Sequence, residues 1–201
     1  MPARMPDKRY EKGEKTKENL LQVAITIMAE QGLKEVSAAK LAKATGISKS
    51  TVFHHFHSTE ALLLQTLDLV FQELWQYMKA DPSPDTEHFL ETLGQSMVDV
   101  ATEEPSLVKA FLAFFHEGLY NATYREVLVA YSQQMNDFFF QQLQPLAPHL
   151  KEERIRDISK LLLPMIDGMG FHFLLNKDPH SFAHMWKLQT QGILHLIQDQ
   201  K

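Results

Sequence analysis

The fold of this chain is decided by residues 33–62, which read LKEVSAAKLAKATGISKSTVFHHFHSTEAL. Ser37 is placed to cap a short helix, because its hydroxyl can accept a hydrogen bond from a free amide one turn later. Gly46 ends that helix, since glycine takes the left-handed backbone conformation at little cost. Ser48 then caps a second short helix over residues 49–55, and a third helix begins soon after. Two short helices joined by a turn of about three or four residues containing Gly form the helix-turn-helix pattern.

The second helix of this pattern is the one that enters the major groove of DNA. Hydroxyl, imidazole and amine groups, which bond to phosphates and base edges, cluster on or beside it. We expect phosphate contacts from Lys49 and His54. Ser50 and Thr51 are better placed for base edges, and Ser37 can also touch phosphate. The stretch therefore predicts a head that binds double-stranded DNA, the alternative being a three-helix packing unit that binds none.

The chain resembles the TetR family of one-component transcriptional regulators in three segments: TKENLLQVAITIMAEQGL (residues 16–33), VSAAKLAKATGISKSTVFHHF (36–56) and STEALLLQTL (58–67). In that family ISKSTVFHHF corresponds to a recognition helix followed by an aromatic-His-Phe signature. The family's usual Tyr is Phe53 here, so a phosphate-binding hydroxyl is missing. The usual Lys near the start of the fourth helix is Thr59, so a cation is missing too. Phe53 remains a predicted DNA-binding residue, but without these two phosphate contacts we expect weaker non-specific binding to DNA.

Charge is distributed unevenly along the chain, whose net charge is −5. Residues 1–60 carry +3 and the remainder carries −8, and a mildly basic head on an acidic body suits DNA binding at one end only. Cys is absent, which fits a reducing cytoplasm and excludes disulfides and thiolate metal sites. The sequence contains no apolar run of about 18 residues, so it predicts no membrane span. The N-terminus lacks the apolar core of a signal peptide. We therefore expect a cytoplasmic protein with no membrane partner.

Helical periodicity extends over the whole chain, and strand signals are few. We predict an all-α fold of about nine helices, with an N-terminal three-helix helix-turn-helix head and a C-terminal helical body for ligand binding and dimerisation. Residues 1–15 read as a flexible basic arm, which ends where Thr16 caps the first helix. Residues 16–61 form the DNA-binding domain, and residues 62–201 form the ligand-binding and dimerisation domain.

Three prolines set predicted helix limits in the body, because proline lacks the amide donor that a helix interior needs. Pro145 and Pro148 are expected to end a long helix at about Leu143. Pro164 is expected to kink the following helix or to mark an earlier end of it.

The body is rich in Met and aromatic side chains, and Met lets a pocket adapt to varied ligands. The family resemblance implies a ligand cavity here, for which we expect a small apolar or amphipathic organic ligand; the alternative is that these residues merely form the core of a helical bundle. The candidate ligand-contacting residues are Trp75, Met97, Phe111, Phe115, Met135, Phe139 and His172. A few polar groups suffice to orient a ligand in an apolar pocket. Those embedded in this apolar pattern are His116, Glu117, Asn136, Asp167 and His172.

The last two helices are the expected homodimer surface, since the resemblance implies a two-fold four-helix bundle made by two chains. Close approach of backbones is allowed by Gly168, Gly170 and Gly192. The apolar stripes are Ile158, Leu161, Leu162, Met165 and Met169 on one helix, and Phe182, Met185, Trp186, Leu188, Ile193, Leu196 and Ile197 on the other. Packing inside one chain is the alternative for some of them.

These features favour a repressor that its ligand releases from DNA, with the helix over residues 62–78 as the mechanical link. The alternatives are a DNA-binding regulator without a small-molecule ligand and a metal-responsive regulator using His54, His55 and His57, which cannot all converge on one ion without unwinding a helix end. We expect no enzyme and no cofactor. The pattern places no base beside a nucleophile, and it contains neither a phosphate-binding loop nor metal-protease spacing.

Overall fold

The computed structural model describes residues 8–78 and 83–198, with side chains from residue 11 onward. These residues form nine α-helices and one short 3-10 turn, with no β-strand among them. The helices are α1 (Lys8–Gln31), α2 (Ala38–Thr45), α3 (Lys49–His55), α4 (Thr59–Met78), α5 (Thr86–Glu103), α6 (Pro105–Gly118), α7 (Ala122–Leu146), α8 (Glu152–Asn176) and α9 (Pro179–Gln198). The predicted all-α fold is confirmed.

The first helix begins earlier than the sequence pattern suggested. α1 starts at Lys8, and the hydroxyl of Thr16 donates to the carbonyl of Lys12, 2.8 Å away, so Thr16 lies inside the helix and does not cap it. The cause is composition, because Lys and Glu are good helix formers. The expected flexible arm is therefore wrong for residues 8–15, and residues 1–7 lie outside the described residues.

Two prolines lie inside helices that continue past them. α7 extends through Pro145 to Leu146, because a Pro in the last turn removes only one backbone donor, and the amide of Ala147 still donates to the carbonyl of Leu143 at 3.0 Å. α8 likewise continues through Pro164 to Asn176. The expected end of α7 at Leu143 and the possible early end of α8 at Pro164 are both wrong.

The described residues divide into two compact units. The first contains the residues up to Glu73 together with Ser106–Glu117, which is most of α6. The second contains Leu74–Pro105 and the residues from Gly118 onward. α4 therefore contributes to both units, and this division falls later in the chain than the boundary at residue 61 drawn from the sequence. The assignment of DNA binding and ligand binding to separate domains stays a prediction.

In the first unit, apolar side chains from every short helix share one interior with α1 and the first part of α4. Its fully buried members include Leu20, Ala24, Met28, Leu41, Val52, Phe56, Leu62 and Leu67. The amide of Gln22 also donates to the carboxylate of Glu73, which ties α1 to α4. This interior holds α2 and α3, helices too short to be stable alone.

In the second unit, α7 and α8 lie side by side, and α9 packs against α5 and α8. The core contains Phe89, Leu90, Leu93, Met97, Met135, Phe139, Leu143, Ile158, Leu162, Ile166, Phe182, Trp186 and Ile193. The three consecutive Phe residues face different surroundings, as helix geometry requires: Phe139 is buried, Phe138 is half-buried, and the ring of Phe140 is covered by the guanidinium of Arg156 at 4.0 Å. By length and composition α8 is the one described helix that could cross a membrane, a test that core helices of water-soluble proteins also pass.

Candidate DNA-binding and ligand-binding sites

The helix-turn-helix pattern is built by the three residues that the sequence pointed to. The Ser37 hydroxyl accepts a hydrogen bond from the Lys40 amide at 3.3 Å. Gly46 has φ of 73°, the left-handed conformation that ends α2. The Ser48 hydroxyl accepts from the Thr51 amide at 3.1 Å and so caps α3. These predicted caps are confirmed, and they fix where α3 begins.

The two faces of α3 differ in chemistry. Val52 and the following Phe56 are each 1% exposed and anchor the helix to the interior of the first unit. Five of the six predicted DNA-binding residues occupy α3: Lys49, Ser50, Phe53 and His54 are exposed, and Thr51 is half-buried. Ser37, at the start of α2, is half-buried as well. The structure thus places a polar, accessible surface over an apolar anchor, as a helix that inserts into a groove requires.

Hydroxyl groups at the start of α3 form a small hydrogen-bonded cluster. The Ser48 oxygen lies 2.7 Å from the Ser50 oxygen and 2.9 Å from the Thr51 oxygen. With its bond from the Thr51 amide, the Ser48 hydroxyl uses its full capacity, whereas those of Ser50 and Thr51 can form further hydrogen bonds. The cluster therefore orients Ser50 and Thr51 while leaving them able to bond to a base edge.

Some cations of the first unit are already paired. Lys40 forms an ion pair with Glu35 and donates to the side chain of Gln31 at 2.7 Å, and its hydrogen bond and charge lower the pKa of Glu35. Lys34 lies 3.8 Å from Glu117. Lys49, by contrast, forms no ion pair with the described side chains. It is thus the cation of α3 that is available to a phosphate.

The seven candidate ligand residues do not lie in one place. Within the second unit, Met97, Met135 and Phe139 are buried in one core cluster, against which the half-buried Trp75 packs. The ring of Trp75 lies 5.0 Å from that of Phe138.

The other candidates lie elsewhere. Phe111 and Phe115 belong to the first unit, on α6, where their ring centroids are 6.1 Å apart; Phe111 is 7% exposed and Phe115 is 42% exposed. His172 is exposed on α8 and lines a groove of about 380 Å³ against α9. Binding of one ligand by all seven stays a prediction.

A half-buried acidic side chain, Asp167, lies on α8 next to Leu163 and Ile166, which belong to the second unit's core cluster. Burial raises the pKa of Asp167 to about 7. Asp167 lies one turn before Gly170 on α8, and a Cβ built at Gly170 would be 2.7 Å from the terminal carbon of Met97, so this side of α8 faces α5. On α7, burial raises the pKa of Tyr131, and the negative charge of Asp167 raises it further. Asp167 and Tyr131 are therefore electrostatic neighbours, both half-buried at the edge of an apolar cluster.

Sequence reasoning singled out Asp167 as a polar group in an apolar stretch but did not include it among the ligand residues. The signal was its helical spacing, since Leu163 one turn before it and Gly170 one turn after it are buried. No group of three His, Asp or Glu side chains within the described ranges is arranged to hold a metal ion.

The outer faces of α8 and α9 carry exposed apolar side chains. Leu161 and Leu175 of α8 are 47% and 80% exposed, and Met185 and Leu188 of α9 are 45% and 50% exposed. A Cβ at Gly168 or Gly192 would meet nothing within 4 Å. Of the other stripe residues, Met165, Met169 and Leu196 are partly buried and pack against the chain's own core, and the following are buried in it: Ile158, Leu162, Phe182, Trp186, Ile193 and Ile197. For Ile158, Leu162 and the other four buried residues the alternative of packing inside one chain holds, because the same helices must also face α5 and α7.

Two family descriptions match the chain. "Bacterial regulatory proteins, tetR family" matches residues 20–66, and "BetI-type transcriptional repressor, C-terminal" matches residues 87–198. Among similar proteins is the HTH-type transcriptional regulator BetI of Rhizobium meliloti, 27% identical over 166 residues, covering 81% of this chain and 79% of that protein. The regulator BetI of Proteus mirabilis is 23% identical over 194 residues, covering 92% of this chain and 94% of its own length.

Solved structures share the fold. Salmonella enterica GusR superimposes with a TM-score of 0.75 at 20% identity, covering 90% of this chain and 96% of its own. A transcriptional regulator from Saccharomonospora viridis, in complex with choline, also has a TM-score of 0.75, at 19% identity, with 90% and 97% of the two chains covered. At these identities the likeness concerns the fold alone.

Proposed function

Since the chain belongs to the TetR family of bacterial regulatory proteins and carries a BetI-type C-terminal domain, we propose that it is a dimeric repressor released from its operator by a small organic cation. As a member of that family it is a DNA-binding transcriptional regulator and not an enzyme. The operator lies in the cytoplasm, where the protein therefore acts. The proposals for DNA binding, dimerisation and ligand binding are each supported by a separate part of the chain.

The DNA is bound by α3 in the major groove. Support comes from the exposed Lys49, Ser50 and His54 above the buried Val52. Lys49 and His54 reach phosphates, and the clustered hydroxyls of Ser50 and Thr51 reach base edges. Ser37 adds a phosphate contact from the start of α2.

The dimer forms through the exposed apolar faces of α8 and α9. Leu161, Leu175, Met185 and Leu188 would be left in water in a single chain, and the two open glycines allow helices of a second copy to approach closely. A two-fold dimer presents two copies of α3 to two half-sites on one face of the duplex. Binding to both half-sites compensates for the small positive charge of each head.

The ligand is held in the second unit beside Asp167. The observation that carries this proposal is a half-buried carboxyl group beside an apolar cluster, close enough to Tyr131 for its charge to raise the pKa of that phenol and with no ion pair to the described Lys, Arg or His side chains. A cation placed there would favour the ionised carboxylate. Aromatic faces attract quaternary ammonium groups, and Trp75, Tyr131 and Phe138 belong to or pack against the same cluster. The choline complex of the Saccharomonospora viridis regulator points to the same class of ligand.

The link between ligand and DNA is α4, which begins in the first unit and ends in the second. A ligand that favours a different separation of the two heads lowers operator affinity, typically by about 5–150-fold. Trp75 lies in the last part of α4, so contact of the ligand with Trp75 acts on the same helix that carries Leu62 and Leu67 in the first unit.

The test uses an operator selected by the purified protein from a random pool of DNA duplexes, with affinity measured by fluorescence anisotropy. Choline chloride is expected to weaken operator binding, whereas 3,3-dimethylbutan-1-ol, its neutral isostere, is not. Asp167→Asn should bind the operator normally but lose the response to choline. Equal effects of the two compounds would exclude a cation site, and tighter binding with choline would make the protein a corepressor-dependent regulator.

A further inference from the structure

Phe53 has an unusual position for a phenylalanine. It is 48% exposed on α3, whereas Phe56, one turn further, is 1% exposed. Its neighbours one turn back on the helix are Lys49 and Ser50, both exposed. No ring contact to Phe53 is formed by the described aromatic side chains. The ring therefore contributes little to the interior of the first unit.

The chemistry of a phenyl ring restricts what it can recognise on DNA. It offers no donor or acceptor, so it cannot bond to a phosphate oxygen or to the polar edge of a base. The major groove presents one apolar base substituent, the C5-methyl group of thymine, and Phe is one of the side chains that contact it. The adjacent Ser50 and Lys49 bring the polar bonds that would fix the register of the ring in the groove.

We propose that Phe53 packs against the C5-methyl group of one thymine in each operator half-site and so fixes a thymine at that position. The proposal rests on the proposed insertion of α3 into the major groove. The half-buried Thr51 and the exposed Ser50 bond to neighbouring bases through their hydroxyls. Among the exposed residues of α3, Phe53 is the only apolar side chain that could contact a base.

The experiment removes the methyl group without changing anything else. In the operator selected from a random pool, each thymine is replaced in turn by deoxyuridine in both half-sites, and affinity is measured by fluorescence anisotropy at fixed salt. The wild-type protein should lose about fourfold in affinity per half-site at one position, as expected for one methyl group removed from an apolar contact. Phe53→Ala should bind the thymine and deoxyuridine operators equally well.

Matched controls separate this contact from general binding. His54→Ala, which alters the next residue on α3, should weaken binding to both operators but keep the full deoxyuridine effect. A random-pool selection with Phe53→Ala should lose thymine enrichment at that position alone. Circular dichroism checks that the variant head stays folded, as the exposure of Phe53 leads us to expect.

The outcomes distinguish this proposal from the proposed function. If the wild-type protein selects an operator but no deoxyuridine position weakens binding, or if Phe53→Ala keeps the deoxyuridine effect, the role of Phe53 is wrong and DNA binding by α3 stands. If the wild-type protein selects no operator at all, both the proposed function and the role of Phe53 fail.

Discussion

Gly94 of α5 lies directly against the indole ring of Trp186 of α9. A Cβ built at Gly94 would be 2.3 Å from Nε1 of Trp186, well inside van der Waals contact. The same nitrogen donates a hydrogen bond to the carbonyl of Leu90 at 2.9 Å, and the ring stacks on Phe182 with 8° between the planes. The absence of a side chain at residue 94 is therefore what allows α9 to pack against α5.

This relationship makes Gly94→Ala a sensitive probe of the second unit. We expect a loss of about 1–3 kcal/mol in the free energy of unfolding, because overpacking displaces a buried indole and strains its hydrogen bond. The control is Gly13→Ala in α1, where a Cβ meets nothing within 4 Å; it should raise stability by about 0.5–1 kcal/mol, since Ala favours helix over Gly. Urea unfolding measures both, and a Gly94→Ala protein as stable as the wild type would contradict this packing.

Caps and turns of the helix-turn-helix were readable from the sequence because they depend on local chemistry. Ser37, Gly46 and Ser48 act on amides or dihedral angles within one turn of themselves. The start of α1 was not readable, because Thr16 is a good N-cap residue in isolation but bonds backwards to Lys12 once the helix continues. Local signals thus identified the limits of α2 and the start of α3, while the length of α1 depended on helix-forming Lys and Glu residues that mark no starting point.

Substitution of two nearby serines, Ser48 and Ser50, distinguishes a role in helix stability from a role in DNA recognition. Ser48→Ala removes the acceptor for the Thr51 amide and should cost about 1 kcal/mol in the stability of the first unit. Ser50→Ala leaves that cap in place, so stability should change by less than about 0.5 kcal/mol, while operator affinity falls through loss of a base contact. Thermal unfolding together with operator binding resolves the two effects. Equal loss of stability in both variants would show that the hydroxyl cluster acts as one structural unit.

Lys49→Ala tests the assignment of a phosphate contact. Removal of one phosphate contact should weaken binding to every DNA sequence and reduce the slope of log K against log salt by about 0.9 per head. Lys151→Ala, an exposed lysine at the start of α8, is the control and should leave the slope unchanged. A Lys49→Ala protein with an unaltered slope would mean that the lysine does not reach the backbone of the duplex.

The candidate ligand site was only partly readable from the sequence. Periodicity shows that Met135 and Phe139 share one face of a helix, and both are buried in one cluster. It does not show which helices meet, so Phe111 and Phe115 were grouped with residues of another unit. Asp167 stood out as an acid in an apolar stretch, but its partial burial and its proximity to Tyr131 of α7 depend on how separate helices pack, which periodicity does not show.

Leu188→Glu tests the dimer surface. The residue is 50% exposed on α9, so the single chain should stay folded, but a charge buried between two copies should weaken the dimer by at least about 3 kcal/mol, more than a hundredfold in dissociation constant. Gln191→Glu places the same charge on the same helix, on the side that lines the groove with α5, and serves as the control. Light scattering after size-exclusion chromatography reports the oligomeric state. A dimer that persists with Leu188→Glu would exclude this face.

The partial burial of Asp167 predicts how stability depends on pH. The carboxyl group has a pKa of about 7 in the folded protein and an ordinary value of 3.8. Between these values the unfolded chain is ionised while the folded protein keeps the proton, so unfolding releases a proton and a rise in pH favours it. The contribution is present in full below about pH 4 and is lost as pH rises through 7, up to about 4 kcal/mol in total.

Asp167→Asn isolates that contribution, because an amide does not titrate. The stability of the variant relative to the wild type should increase from pH 4.5 to about pH 7 and level off by pH 8, with Asp157→Asn, an exposed position on α8 paired with Lys160, as the control. Choline should oppose the trend in the wild type, since a bound cation favours the ionised carboxylate. Its stabilising effect should thus be larger at pH 8 than at pH 5.5. A difference between variant and wild type that is flat across this range would show that Asp167 is solvated in the folded protein, and the cation site would lose its counter-charge.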